Sequence, residues 1–153
     1  MPPRLVPMPT PRRRPAGFTL IDVLVAIALT AVLAAVALPA YREQLARARR
    51  SEMQTALLED AAYMQRYYAA NNAFSGTPLP QLPVPVSPRA GTPAYTIAVA
   101  VPSDDPTSFL LTATRAGAMQ GDRCGDFTYD HLGRRGLAPG TFAAGLTPEA
   151  CWR

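Results

Sequence analysis

From Phe18 to Tyr41 the chain reads FTLIDVLVAIALTAVLAAVALPAY, twenty-four residues with a single charge at Asp22. Apolar positions fall on every face of a helix drawn through this run, whereas a surface helix confines them to one stripe. The run is long enough to cross a hydrocarbon core of about 30 Å. After Tyr41 the pattern changes. Met53, Leu57, Ala61, Met64 and Tyr68 recur at spacings of three and four, while Arg49, Arg50, Glu52, Glu59 and Arg66 fall largely elsewhere. This is an amphipathic stretch whose stripe should cover a sheet. Between Gly17 and Gly76 there is no glycine and one proline, Pro39. Both patterns are therefore expected on one helix of roughly fifty residues, on the order of 80 Å long. Pro39 is tolerated as a kink near the end of the span. The chain after the apolar run is too small to surround it, so the run is read as membrane-inserting.

Asn71-Asn72 offers a C-terminal stop for the helix. Residues 75–93 then carry Pro78, Pro80, Pro83, Pro85, Pro88 and Pro93, a stiff connection with little capacity for ladder hydrogen bonds. A proline-rich run can also dock in aromatic grooves, but a helix-to-sheet loop is the simpler role. From Ala94 to Val101 the pattern alternates, with Tyr95, Ile97, Val99 and Val101 on one face of a strand. Pro102-Ser103-Asp104-Asp105-Pro106 reads as a turn. Ser108–Arg115 and Asp126–Asp130 read as further strands. The expected fold class is α+β, a long N-terminal helix on a small antiparallel sheet of three or four strands.

Composition adds one correction to a first impression. Hydrophobic content of 48% and charged content of 17% exclude a disordered chain. The formal net charge of +4 suggests nucleic acid. All fifteen basic residues are arginines, however, and Arg4, Arg12, Arg13 and Arg14 precede residue 18, whereas all eleven acids follow it. The rest of the chain is formally neutral, so net charge names no partner. Arg42, Arg47, Arg49 and Arg50 follow the apolar run and balance the leader, which leaves orientation undecided by charge. Cys124 and Cys151 suit a disulfide in an oxidising compartment, and two free thiols are the other reading. A closed loop of about 27 residues would contribute roughly 3–4 kcal/mol in the chain-entropy model. Together these features favour a short cytoplasmic leader and an exported C-terminal domain.

Three targeting readings compete. One is a signal peptide cut near Ala35-Val36-Ala37, the second an uncleaved anchor. The third is a basic leader ending at Gly17, cut before Phe18, with the apolar helix retained. On RRRPAG followed by FTLIDVLVAIALTAVLAAVALPAY the chain resembles type IV prepilins. QRYYAANNAF at the helix end, GDRCGDFTYDHLGRRG and the terminal EACWR resemble PilE-like minor pilins. The resemblance implies a pilin-like fold, cleavage after Gly17 by a prepilin peptidase and methylation of the new amino group of Phe18. Met8 would give the shorter leader MPTPRRRPAG, an alternative start. It also implies that Asp22 pairs with the Phe18 ammonium of a neighbouring subunit, where pilins usually place Glu. The plainer reading of Asp22 is an acid in a helix's first turn. At the centre of a spanning helix an Asp costs roughly 2.5–3.5 kcal/mol, less near an end. The resemblance further implies a Cys124–Cys151 disulfide bounding an exposed C-terminal segment.

The resulting expectation is a structural minor pilin, without enzymatic activity or cofactor. It would be held single-pass in the inner membrane by residues 18–41 with a cytoplasmic N-terminus, then drawn by the pilus assembly platform into an extracellular filament of pilins. Twitching motility and adhesion are the surface functions it would support. Two alternatives stay open: a type II secretion pseudopilin, and a DNA-binding minor pilin for DNA uptake with Arg123, Arg134 and Arg135 as contacts. Against DNA, residues 71–153 carry six arginines and six interleaved acids. The acids Asp104-Asp105 and Asp122, Asp126 and Asp130 raise calcium, but the second set lacks the EF-hand ligand spacing. His131 is the only histidine and has no sequence partner for a triad or metal site. Zinc spacing and a phosphate-binding glycine loop do not occur.

Overall fold

In the computed structural model, which describes residues 17–76 and 78–152, α1 runs from Leu20 to Asn71 and passes through Pro39. The expected leader, with Arg12–Arg14 and the alternative start at Met8, lies outside the described residues apart from Gly17. The chain divides into two compact units, the first ending at Ala40 and the second beginning at Tyr41.

In the first unit α1 starts as Thr19 turns the chain into the helix, with Asp22 in the first turn. No residue of this helical stretch is buried, and twelve large apolar side chains from Phe18 to Leu38 stand exposed. Pro39 has no N–H to donate, so the Ala35 carbonyl loses its helical partner there.

In the second unit α1 buries Arg50, Met53, Ala56, Leu57, Asp60, Ala61 and Met64, a face repeating every three to four residues. The helix stops where Asn72 adopts φ 55°, a left-handed cap that asparagine tolerates. Five antiparallel strands follow in a meander: β1 Val86–Ser87, β2 Tyr95–Ala100, β3 Leu110–Arg115, β4 Phe127–Asp130 and β5 Arg135–Leu137, lying in that order. The registers Ile97↔Ala113 and Ala113↔Phe127 align inward residues across three strands. With Leu111, Phe109, Val84 and Phe74 they form one core with α1's apolar face. Phe74 stacks edge-on against Phe109 at 4.7 Å and Tyr95 against Phe127 at 6.1 Å, contacts worth about 0.5–1.5 kcal/mol each beyond burial.

Five strands stand where three or four are expected from the pattern. β1 forms inside the proline run because proline lacks a donor but keeps its acceptor. The Pro85 carbonyl accepts from Ile97 N at 2.8 Å and the Ser87 carbonyl from Ala94 N at 2.8 Å. The segment therefore pairs as an edge. β5 occupies what reads in sequence as a turn. A Cβ on Gly136 would lie 2.6 Å from Thr128 Oγ1, so a larger residue at that cross-strand position would require Thr128 to turn away.

Candidate functional site

The two ends of the chain carry the candidate chemistry. At the first, Asp22 Oδ2 accepts from Thr19 N at 2.9 Å and from Thr19 Oγ1 at 2.7 Å, and Asp22 N donates back to Thr19 Oγ1 at 3.3 Å. This is a reciprocal cap of the Thr-x-x-acid kind. The spacing was present in TLID and gives Asp22 a local partner that a reading confined to its charge misses. Gly17 has no heavy atom within 4 Å of an added Cβ, and Phe18 is 91% exposed. Below Asp22, a shallow groove on the same helix face runs past Ala26, Thr30 and Ala34. Small residues four apart permit close approach of another helix.

At the other end, the Cys124–Cys151 disulfide closes a 27-residue separation with Cα atoms 5.8 Å apart. It is preceded by α2, Pro148–Cys151, capped by Thr147, whose side chain accepts from Ala150 N. Trp152, next in sequence, packs its ring 5.5 Å from Phe127 and donates Nε1–H to the Gly136 carbonyl at 2.9 Å. The terminal Cys-Trp pair thus fastens the chain end to β4 and β5.

A buried polar network holds the approach to Cys124. Arg50 donates Nε and Nη2 to Asp122 at 2.9 and 2.5 Å, and Tyr95 donates its hydroxyl to the same carboxylate at 3.3 Å. The bond to Asp122 raises the Arg50 pKa further, and burial pushes the Tyr95 phenol up. Arg115 donates its backbone N and Nε to Asp126 and Nη1 to the Asp122 carbonyl. Asp60, buried on α1, accepts from Val84 N at 2.9 Å through Oδ1, while Oδ2 has no partner. Burial raises its pKa to about 6. The signal for both polar residues lay in the helical period, since 50 and 60 share a face with 53, 57 and 64.

The three arginines considered for DNA do not form one group. Arg123 lies before β4, exposed, whereas Arg134 and Arg135 lie on the far side of it, on the β4–β5 hairpin. Arg134 donates its backbone N and Nε to Asp130 at 2.9 and 2.5 Å. Burial raises the Asp130 carboxyl, but these bonds and that from Leu132 N bring it below its ordinary value. The Arg135 guanidinium sits 5.5 Å over the Trp152 ring. Asp122, Asp126 and Asp130 are thus each engaged by an arginine. Among the described residues no three candidate metal ligands stand together. Asp105 closes its own turn, accepting from Thr107 N and Oγ1, which lowers its pKa. The His131 carbonyl accepts from Gln65, and its ring meets the edge of Phe109.

Residues 39–128 match a family model described as type IV minor pilin ComP, DNA uptake sequence receptor. Residues 12–38 match the prokaryotic N-terminal methylation motif, which encloses the Gly17–Phe18 junction. The chain is 38% identical to the fimbrial protein EcpC of Eikenella corrodens over 39% of its own length and 43% of that protein. It is 58% identical to the type IV major pilin protein PilE of Neisseria gonorrhoeae over 24% of its own length and 22% of that protein. The match therefore spans less than half the length of these curated relatives. Among solved structures, a type IV pilin from Shewanella oneidensis shares 26% identity, covering 63% of this chain and 97% of that one at a TM-score of 0.45. The non-core minor pilin PilV of Neisseria meningitidis shares 20% identity, covering 69% and 95% at a TM-score of 0.47.

Proposed function

The chain belongs to the type IV minor pilin family, and from that premise we propose that it is a structural subunit of a bacterial type IV pilus. The observation that carries this reading is the uncovered apolar helix. Twelve exposed large side chains between Phe18 and Leu38 would cost on the order of 20 kcal/mol to hold in water. Lipid satisfies them before assembly, and neighbouring pilin helices satisfy them in a filament. Prepilin peptidase cuts after Gly17 and methylates Phe18. Residues 18–41 hold the chain in the inner membrane with a cytoplasmic N-terminus, and the assembly platform then moves it into the extracellular pilus. Asp22, capped locally by Thr19, keeps lone pairs for the Phe18 ammonium of a neighbour. Twitching motility and adhesion are the surface functions such a subunit supports.

The test is intact and N-terminal mass spectrometry of the membrane-derived protein from its host. A chain beginning at methylated Phe18 with Cys124 and Cys151 oxidised is expected. A soluble chain beginning near Leu38 would replace this reading with an ordinary signal peptide.

A second reading is favoured by the family model's own description: a minor pilin that binds DNA during uptake. Arg134 and Arg135, exposed together on the β4–β5 hairpin, would supply the phosphate contacts. Duplex affinity that falls with salt, and falls further in Arg134→Ala and Arg135→Ala, is the expected result. No binding at low salt would end this second reading.

A further inference from the structure

At the start of the second unit, α1 and the C-terminal segment enclose a cleft of about 260 Å³ walled by Glu43, Arg47, Arg50, Ala150 and Cys151. A smaller cleft of about 200 Å³ shares four of those walls and adds Arg123. Glu43 and Arg50 line both clefts, so the two adjoin, with Arg47 walling the first and Arg123 the second. The situations of the three arginines differ. Arg50 is buried and its Nε and Nη2 are committed to Asp122. Arg47 has Glu43 as its ion-pair partner, at 3.5 Å, and Arg123 makes no ion pair with any described residue.

Glu43 is the informative member. Its Oε1 lies 3.3 Å from Arg50 Nη1 and 3.5 Å from Arg47 Nε, long contacts beside the 2.5 Å bond of Asp122, and its side chain is half exposed. A loosely held carboxylate between two guanidinium groups occupies the place where a phosphate oxygen would sit, and a phosphate offers more acceptor oxygens to planar donors.

Position along the chain says which phosphate. Glu43 and Arg47 come two and six residues after Tyr41, where the apolar run ends. At 1.5 Å per residue they follow it by about 3 and 9 Å along their own helix, roughly one Debye length at physiological salt. That is headgroup depth. Arg42 and Arg49 add positive charge in the same stretch. We infer that these adjoining clefts bind the phosphate of an anionic phospholipid headgroup at their shared wall, with Arg47 approaching it from one cleft, Arg123 from the other, and Glu43 as the group it displaces. The lipid steadies the exported unit on the bilayer and is shed when the subunit enters a filament. The inference rests on residues 18–41 spanning the membrane. A DNA phosphate has the same chemistry, but a cleft at headgroup depth is met by lipid first.

The test uses the full chain in nanodiscs holding equal phosphatidylglycerol and phosphatidylethanolamine, with retained lipids counted by native mass spectrometry after release. Preferential retention of phosphatidylglycerol is expected, reduced about fivefold by Arg47→Ala or Arg123→Ala, one surface arginine's worth of attraction. Glu43→Gln should increase retention, a gain that a merely structural ion pair would not give. Arg42→Ala, with its side chain outside both clefts, should change retention less than Arg123→Ala. Equal lipid retention by the wild type and all variants would overturn the inference. So would stripping of the lipid by millimolar inorganic phosphate, which would make this a simple anion site, or by duplex DNA at low salt, which would give the site to nucleic acid. Alkaline carbonate extraction of host membranes separates the premises: a chain released there fails the spanning reading and takes this inference with it. A chain that stays behind but shows no lipid preference fails the inference alone.

Discussion

The two stretches of α1 on either side of Ala40 lie on one helix but are built from different residues and are stabilised in different ways. From Leu20 to Ala40 nothing in the described chain is buried. Backbone hydrogen bonds hold the helix, and its apolar surface waits for lipid or other helices. From Tyr41 to Asn71 the stripe of Met53, Leu57 and Met64 is fully buried against the core. Seven of the 21 residues from Leu20 to Ala40 are β-branched against one of the 31 from Tyr41 to Asn71, yet both are helical, so the surroundings of each face rather than propensity set stability and role. Unfolding of the full chain in detergent micelles, followed through the single Trp152, would separate them. Phe127→Ala, at 0% exposure in the core, should cost about 3–5 kcal/mol. Leu29→Ala, 61% exposed, should stay within about 0.5 kcal/mol. Equal losses would mean that both stretches unfold as one unit and that the contrast is false.

The second unit also has covalent reinforcement that the first lacks. Replacing Cys124 and Cys151 together by serine should lower its stability by roughly 3–4 kcal/mol, from loop entropy alone. The same exchange should free Trp152 from Phe127 and Gly136, visible as a red-shifted emission in the folded state. Helicity of residues 20–40 should not change. A double variant as stable as the wild type would leave the Trp152 contacts, rather than the disulfide, as what secures the chain end.

Sequence pattern exposed the first stretch almost completely and the second unevenly. An all-round apolar run needs no partner to be recognised. The stripe on α1, the alternation at Tyr95, Ile97 and Val99, and the two cysteines flanked by glycine, acids and a terminal tryptophan were legible because each is a local or periodic signal. β1 and β5 were not, because two- and three-residue strands are made by their neighbours: the donors of Ala94 and Ile97 in one case, the space beside Thr128 in the other. Arg50 and Asp122 lie 72 residues apart and meet only in the folded chain. The charge of Arg50 set it off the stripe, and Asp60 went unremarked, although both occupy the stripe's face. The three candidate arginines show the same limit, since closeness in sequence did not place Arg123 beside Arg134 and Arg135.

Asp60 sharpens the contrast within the second unit, as a polar group held in a core with one oxygen unsatisfied. Burial raises its pKa to about 6, above an ordinary value near 3.8. The folded state therefore binds more protons than the unfolded one between those values, and this group's contribution declines as pH rises through the window. Asp60→Asn keeps an acceptor for Val84 N and removes the charge. Relative to the wild type it should gain on the order of 2 kcal/mol at pH 8 and little at pH 4. Melting of both proteins at the two pH values checks this. A gain of the same size at both would assign the effect to packing. A loss at pH 8 would mean the charged carboxylate is stabilised by something beyond Val84.

The smallest effect bears on the first stretch, where stability and assembly can be told apart at one residue pair. Thr19→Ala removes the hydroxyl that bonds Asp22 but leaves the Thr19 backbone donor position and the carboxylate in place. It should cost about 1 kcal/mol of helix start, read as faster amide exchange at residues 20–24 in micelles. Asp22→Ala removes the cap and the charge together. If Asp22 serves a neighbouring Phe18 ammonium, Thr19→Ala should still enter filaments and Asp22→Ala should not, although both fray the same turn. If the two variants lose incorporation equally, the carboxylate matters only as a cap, and the pairing across subunits falls. A filament signal retained by both would remove Asp22 from assembly altogether and leave the apolar surface, with its small residues at Ala26, Thr30 and Ala34, as the sole driver of packing.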